Sequence, residues 1–218
     1  MTLLQSGIAK PSSGYDIDQS LRLDNAGANN SANHVVRLQN FGSESDPNGW
    51  ATDGNQKTWT ISFWMKWDNE DSYNERFIYW VNGARATSDV MGYDVINLVG
   101  GQLQYYCYVS AFGSQRALTK TNRVFRDPSA WYHCVLAMDS TLASNNDRLK
   151  LYVNGVRETS FATDSQIGQD QTTNTNMNAD TYVGASISVT STESFGGYLA
   201  EFHRIDGQAL GPEYFGET

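Results

Sequence analysis

Short runs in which apolar and polar residues alternate recur along most of this chain. In DRLKLYVNGVRE, Leu149, Leu151 and Val153 alternate with Lys150 and Tyr152, the pattern of a strand with one buried face. Asn154-Gly155 then offers two residues suited to positive φ, so a tight type I′ turn is expected, with return through Val156 and Arg157. In TWTISFWMKW, Trp59, Ile61, Phe63, Met65 and Trp67 share one face, while Thr60, Ser62, Trp64 and Lys66 share the other.

The same criteria predict strands at Leu21–Leu23, His34–Leu38, Trp59–Trp67, Arg76–Val81, Tyr93–Leu98, Gln102–Ser110 and Arg116–Thr119. They continue at Trp131–Met138, Leu149–Val153, Val156–Glu158, Thr181–Gly184 and Tyr198–Ile205. Gly100-Gly101 and Asn82-Gly83 mark further hairpins. The stretches DNAGANNSAN, SESDPNG and SQIGQDQTTNTNMNAD are polar and read as loops. Helical periodicity is confined to one turn near Pro212–Phe215, with proline at its first position. In GYLAEFHRID neither alternate set is uniformly apolar, so a bulge or burial on both faces is expected there. Many short strands separated by turns imply an all-β, two-sheet antiparallel sandwich.

Residues 1–20 read as an N-terminal arm broken by Pro11, Ser12, Ser13 and Gly14, either frayed or docked on a neighbouring subunit. Residues 21–218 read as a single domain, since sandwiches of this length commonly form one unit. A chain of 218 residues buries roughly 70% of its unfolded surface, enough for a core without staples. The 12% aromatic content suits strands, and the formal charge of −9 disfavours nucleic acid or an anionic membrane as partner. Cys107 and Cys134 lie in apolar strand runs and read as buried reduced thiols; a disulfide would require adjacent strands and an oxidising compartment. The start, MTLLQSGIAK, lacks the pattern of a secretion signal, so synthesis and folding in a cytoplasm are expected.

Trp64, Tyr106 and Tyr108 are the candidate contact residues. Trp64 stands on the more polar face of its strand, and Tyr106 and Tyr108 alternate with Tyr105, Cys107 and Val109. An aromatic ring on a polar strand face can stack on a sugar, while the more common use of such a ring is to cover a second core layer or a subunit interface. The three histidines, His34, His133 and His203, fall in predicted strands without a nucleophile elbow, and no two Cys or His residues stand at zinc-ligand spacing.

TWTISFWMKW, DPSAWYHCVLAMD, DRLKLYVNGV, TYVGAS and GYLAEFHRIDGQAL occur in the order found in laminin-G-like, concanavalin A-like jelly-roll domains, which the chain resembles from about Gly14 to Glu217. Trp131, His133 and Asp139 match that family's strand motif, Asn154-Gly155 its hairpin, Gly184 its following segment, and Gly197, Leu199 and Glu201 its final strand. The wider wording, from GYDIDQSLRLD to AEFHRIDGQALGPEYFGE, resembles a branch found in virion proteins of marine bacteriophages. The resemblance implies a jelly-roll sandwich with a concave face and a rim of loops. It further implies a non-enzymatic virion structural protein on the particle surface, decorating the capsid through contacts with the major capsid or another virion protein. A homo-oligomer, trimeric in the usual arrangement, accompanies that role. The alternative is a tail- or fibre-associated lectin module recognising host-surface glycans.

Hydrolytic members of such a superfamily need paired carboxylates on one strand, as in E-x-D-x-E, and no strand here carries that spacing. No enzymatic activity and no cofactor are therefore expected. Some relatives hold calcium at the rim, for which Asp139, Asn145, Asn146, Asp147, Asp164 and Asp170 offer oxygen atoms. Those residue types also serve simply as turn caps.

Overall fold

The computed structural model describes residues 17, 19–23, 36–38, 53–68, 76–82, 92–108, 115–177, 179–185 and 194–216. The strands are β1 (Leu21–Leu23), β2 (Val36–Leu38), β3 (Thr58–Trp67), β4 (Arg76–Asn82), β5 (Tyr93–Val99), β6 (Gln102–Tyr108) and β7 (Gln115–Val124). They continue as β8 (Tyr132–Asp139), β9 (Leu149–Val153), β10 (Val156–Arg157), β11 (Phe161–Ser165), β12 (Asp180–Val183) and β13 (Gly197–Asp206). One sheet has six strands in the order β1-β13-β3-β8-β9-β10, the other seven in the order β11-β7-β6-β5-β4-β12-β2. Within both sheets neighbouring strands run antiparallel. The two-sheet sandwich expected from alternation is thus present. Most of the N-terminal arm, and Gly83 of the third hairpin, lie outside the described residues.

The core lies between the sheets. Trp59, Ile61, Phe63, Met65 and Trp67 of β3 meet Tyr79 and Val81 of β4, Ile96 and Leu98 of β5, and Leu103, Tyr105 and Cys107 of β6. Each large side chain buried here contributes roughly 1.5–3 kcal/mol of transfer free energy. The polar edges of the two inward tryptophans are satisfied: Trp59 Nε1 donates to Thr173 Oγ1 (2.9 Å) and Trp67 Nε1 to the Phe125 carbonyl (2.8 Å). Cys107 and Cys134 are free, buried thiols on opposite sheets, and burial pushes both thiols far above their ordinary range.

Local turn chemistry follows the sequence closely. Asn154 and Gly155 have φ of 48° and 75°, the backbone of a type I′ turn, and Gly100 and Gly101 have 58° and 72°. The expected irregularity in GYLAEFHRID is a bulge: the register of β13 against β3 shifts between Ala200 and His203, and Glu201 takes a φ of 46°. Gly197, at φ 129°, lies where a Cβ would come within 2.2 Å of the Lys66 carbonyl oxygen, so β13 meets the end of β3 only because that residue has no side chain. Pro212–Phe215 forms the expected single turn, of 3-10 type. One strand is not legible in the sequence: β11, FATDS, is an exposed edge strand with no alternating apolar set.

Candidate functional site

The two faces turned away from the core differ sharply. On the outside of the six-stranded sheet, Thr60, Ser62 and Trp64 of β3 and His133, Val135 and Ala137 of β8 are all buried. Part of their cover is the C-terminal segment. Thr60 Oγ1 donates to the Gln208 carbonyl and accepts from Leu210 N–H, both at 2.7 Å, and the Phe215 ring stands 6.4 Å from His133 and 5.6 Å from His203. Trp64, 6% exposed, stacks on His133 with ring centroids 4.9 Å apart. The sequence left two readings for this ring, a ligand contact or a second packing layer. Trp64 lies in the second packing layer, buried and stacked on His133.

His133 belongs to the same layer. Its Nε2 lies 2.9 Å from Ser62 Oγ, and its backbone N–H donates to Asn154 Oδ1, which ties the β9–β10 turn to β8. Burial, with a smaller effect of nearby His203, lowers its pKa to about 4. The folded protein therefore keeps His133 neutral where an unfolded chain would begin to protonate it. The resulting stability is fully present above an ordinary histidine pKa of about 6.5 and is lost progressively as pH falls towards 4, up to about 3 kcal/mol. Urea midpoints at about pH 7.5 and about pH 4.5 should show this loss, and His133→Gln should reduce it. An identical pH slope in that variant would remove the assignment.

The outer face of the seven-stranded sheet carries an aromatic strip. Register places Tyr182 (β12), Trp80 (β4), Val95 (β5), Tyr106 (β6) and Leu118 (β7) side by side in one row across five strands. Tyr93 and Tyr108 pair in the adjoining row. Trp80 stacks on Tyr93 at 5.1 Å, Tyr93 on Tyr108 at 5.0 Å, and Tyr106 meets both tyrosines edge-on. Tyr182, Trp80, Tyr93, Tyr106 and Tyr108 are each half-buried, and the last four are in ring contact with one another. At about 4.8 Å per strand, the row from β12 to β7 extends roughly 20 Å. Amides border it: Gln104 Nε2 donates to Asn97 Oδ1 (3.3 Å), and Tyr108 OH donates to Gln115 Oε1 (3.2 Å). Tyr106 and Tyr108 are thus together, as alternation implied; Trp80, Tyr93 and Tyr182 join them only through strand pairing.

Beneath one end of the strip sits a buried carboxylate. Asp94 accepts hydrogen bonds from the Asn174 and Thr175 backbone N–H groups, from Asn174 Nδ2 and from Thr175 Oγ1, at 2.6–3.0 Å. Asn174 Nδ2 also donates to the Tyr108 carbonyl at 2.8 Å, and Arg116 Nη1 holds Thr172. Gly92 leaves room for this arrangement, since a Cβ there would lie 2.4 Å from Asn174 Oδ1. The segment Thr173–Asn176, which the sequence presents as polar loop, is buried and pinned against β5 and β6.

The oxygen donors considered for calcium do not converge. Asp139 accepts from Thr141, Asn145 Oδ1 from Arg148, Asp147 from Arg157, Asp164 from Gln166 and Asp170 from Lys57; Asn146 contributes its carbonyl to Arg157. Among the described residues no three acidic, His or Cys side chains cluster. At the centre of this rim is a guanidinium. Arg148 donates to the Leu142, Ala143 and Ile167 carbonyls and to Asn145 Oδ1, filling an oxygen-lined position with its own positive charge.

A family model described as the concanavalin A-like lectin/glucanases superfamily (Laminin_G_3) matches residues 42–213. The chain belongs to this family. No curated protein matches it. Among solved structures this concanavalin A-like domain is similar to part of the NanB sialidase of Streptococcus pneumoniae, with a TM-score of 0.51 and 12% identity. The match covers 91% of this chain but 27% of the sialidase. It is also similar to domain 4 of AbnA, an extracellular arabinanase of Geobacillus stearothermophilus determined in complex with arabinotriose. There the TM-score is 0.49 and the identity 17%, over 82% of this chain and 69% of that one. At these identities the likeness concerns the fold.

Proposed function

We propose that this concanavalin A-like domain is a non-enzymatic glycan-binding module displayed on a bacteriophage particle, with the aromatic strip of the seven-stranded sheet as its contact face. The observation that carries the reading is the strip itself: five half-buried rings across adjacent strands, bordered by amides. Sugar rings offer apolar faces for stacking and hydroxyls for the amides, so the two surfaces are complementary. The virion setting rests on the resemblance of the chain's wording to a branch found in marine bacteriophage particle proteins. No metal and no bond-breaking step enter the mechanism.

A second reading is the exterior decoration, held by protein–protein contacts to the major capsid protein, another virion protein or sister subunits. Among the described residues the large apolar ones that stay exposed, Leu21, Val156 and Tyr214, all belong to the six-stranded sheet or the segment that crosses it, which favours that side as an anchor. The two readings are compatible if one side anchors and the other is displayed.

Glycan-array binding followed by titration tests the contact face. Tyr106→Ala and Tyr108→Ala should each weaken binding about tenfold while the melting temperature holds. Binding that both variants retain, or its absence on the array, would sink the glycan reading. Immunogold labelling of parent particles decides the setting: label on heads favours decoration, label on tails or fibre tips favours host recognition, and unlabelled particles would overturn the virion role.

A further inference from the structure

The charges around the strip narrow the ligand class. The chain as a whole has 24 acidic residues against 15 Lys and Arg. Yet the outward positions of β4 to β7 and of β11 carry no carboxylate among the described residues. Asp94 and Asp164, the acids on those strands, stand on the inward register, opposite Cys107 and Thr119; Asp180, paired with Asn82 in the row of Tyr93 and Tyr108, marks the β12 end of the strip, four strands across from β7. A cation, in contrast, follows Leu118 along β7 on the same face: Lys120, opposite Gln104, while Arg116 falls at the register irregularity beside Tyr108. Lys120 pairs with Gln104 and Thr163, both neutral, and no ion pair or hydrogen bond engages its ammonium among the described residues. Arg116 spends one nitrogen on Thr172 and keeps further N–H donors.

Tyr106 lies opposite Leu118, so Lys120 is its diagonal neighbour on the same face, about 7–8 Å away and within reach of a long side chain. A pyranose stacked on Tyr106 would place a ring substituent beside the Lys120 ammonium. Resting on the glycan-binding reading above, we infer that the strip binds a carboxylated polysaccharide, one built from uronic acid residues, with Lys120 reading the carboxylate and Tyr106 the ring. An acidic protein whose β7 end of the strip carries a cation and, among the described residues, no outward carboxylate directs anionic chains to that end of the face.

The test uses chains that differ only in charge. Alginate, polygalacturonate and hyaluronate are each compared with their carboxyl-reduced counterparts, which keep linkage and length but lose the negative charge. At low ionic strength at least one carboxylated chain should bind about three- to tenfold more tightly than its reduced form. The preference should fade between about 0.01 M and about 1 M salt, and Lys120→Gln should erase it without changing the melting temperature or the binding of the reduced chain. Equal binding of charged and reduced chains, or a preference that survives Lys120→Gln, would overturn the carboxylate assignment and leave glycan binding standing. Failure of all six chains to bind, or binding indifferent to Tyr106→Ala, would overturn both.

Discussion

Asp94→Ala should remove about 3–5 kcal/mol of unfolding free energy, seen as a fall in the urea midpoint. The carboxylate is fully buried and receives four hydrogen bonds from Asn174 and Thr175. Hydrogen bonds to a charged acceptor are worth more than neutral ones, and removing the acceptor breaks all four bonds; of the donors, Asn174 Nδ2 keeps another partner, the Tyr108 carbonyl. Asp94→Asn should recover part of the loss, because its amide oxygen still accepts while its nitrogen faces other donors. The consequence reaches the strip, since Asn174 also bonds to the Tyr108 carbonyl beside the Tyr93–Tyr108 pair. A change below about 1 kcal/mol in the alanine variant would mean that the Thr173–Asn176 segment is held by other contacts.

Trp64→Ala should also cost about 3–5 kcal/mol, the range for removing a large buried aromatic side chain. Its indole packs on His133 in the layer behind β3 and β8, a layer crossed by the C-terminal segment. Tyr106→Ala should behave in the opposite way, losing ligand affinity with little loss of stability, because its ring is half-buried on an open face. Urea unfolding of the two variants side by side checks the contrast. If Trp64→Ala left stability unchanged, that face of the six-stranded sheet would have to be open, and Trp64 would return as a ligand contact.

Much of the architecture is legible without coordinates. The Leu149–Val153 strand, the Asn154-Gly155 turn and the Pro212–Phe215 turn form where the residues place them, because alternation and positive-φ preference act over a few residues. Even the misfit in GYLAEFHRID announces its bulge. β11 escapes because an exposed edge strand buries no face and so needs no alternation. The contact face is half legible: Tyr106 and Tyr108 stand out on their own strand, but Trp80, Tyr93 and Tyr182 join them through register alone.

By itself, then, the sequence determined the strands other than β11, the tight turns, the inward face of β3 and the family, each encoded in residues close together along the chain. Only the tertiary structure decided which outer face is closed and which is open. Thr60 meets Gln208 across 148 positions, and Asp94 meets Asn174 across 80. Contacts at such separation leave no period in the local pattern. A polar loop can therefore be drawn inside by a buried carboxylate, and a tryptophan on a polar-looking face can be sealed by a distant segment of the same chain.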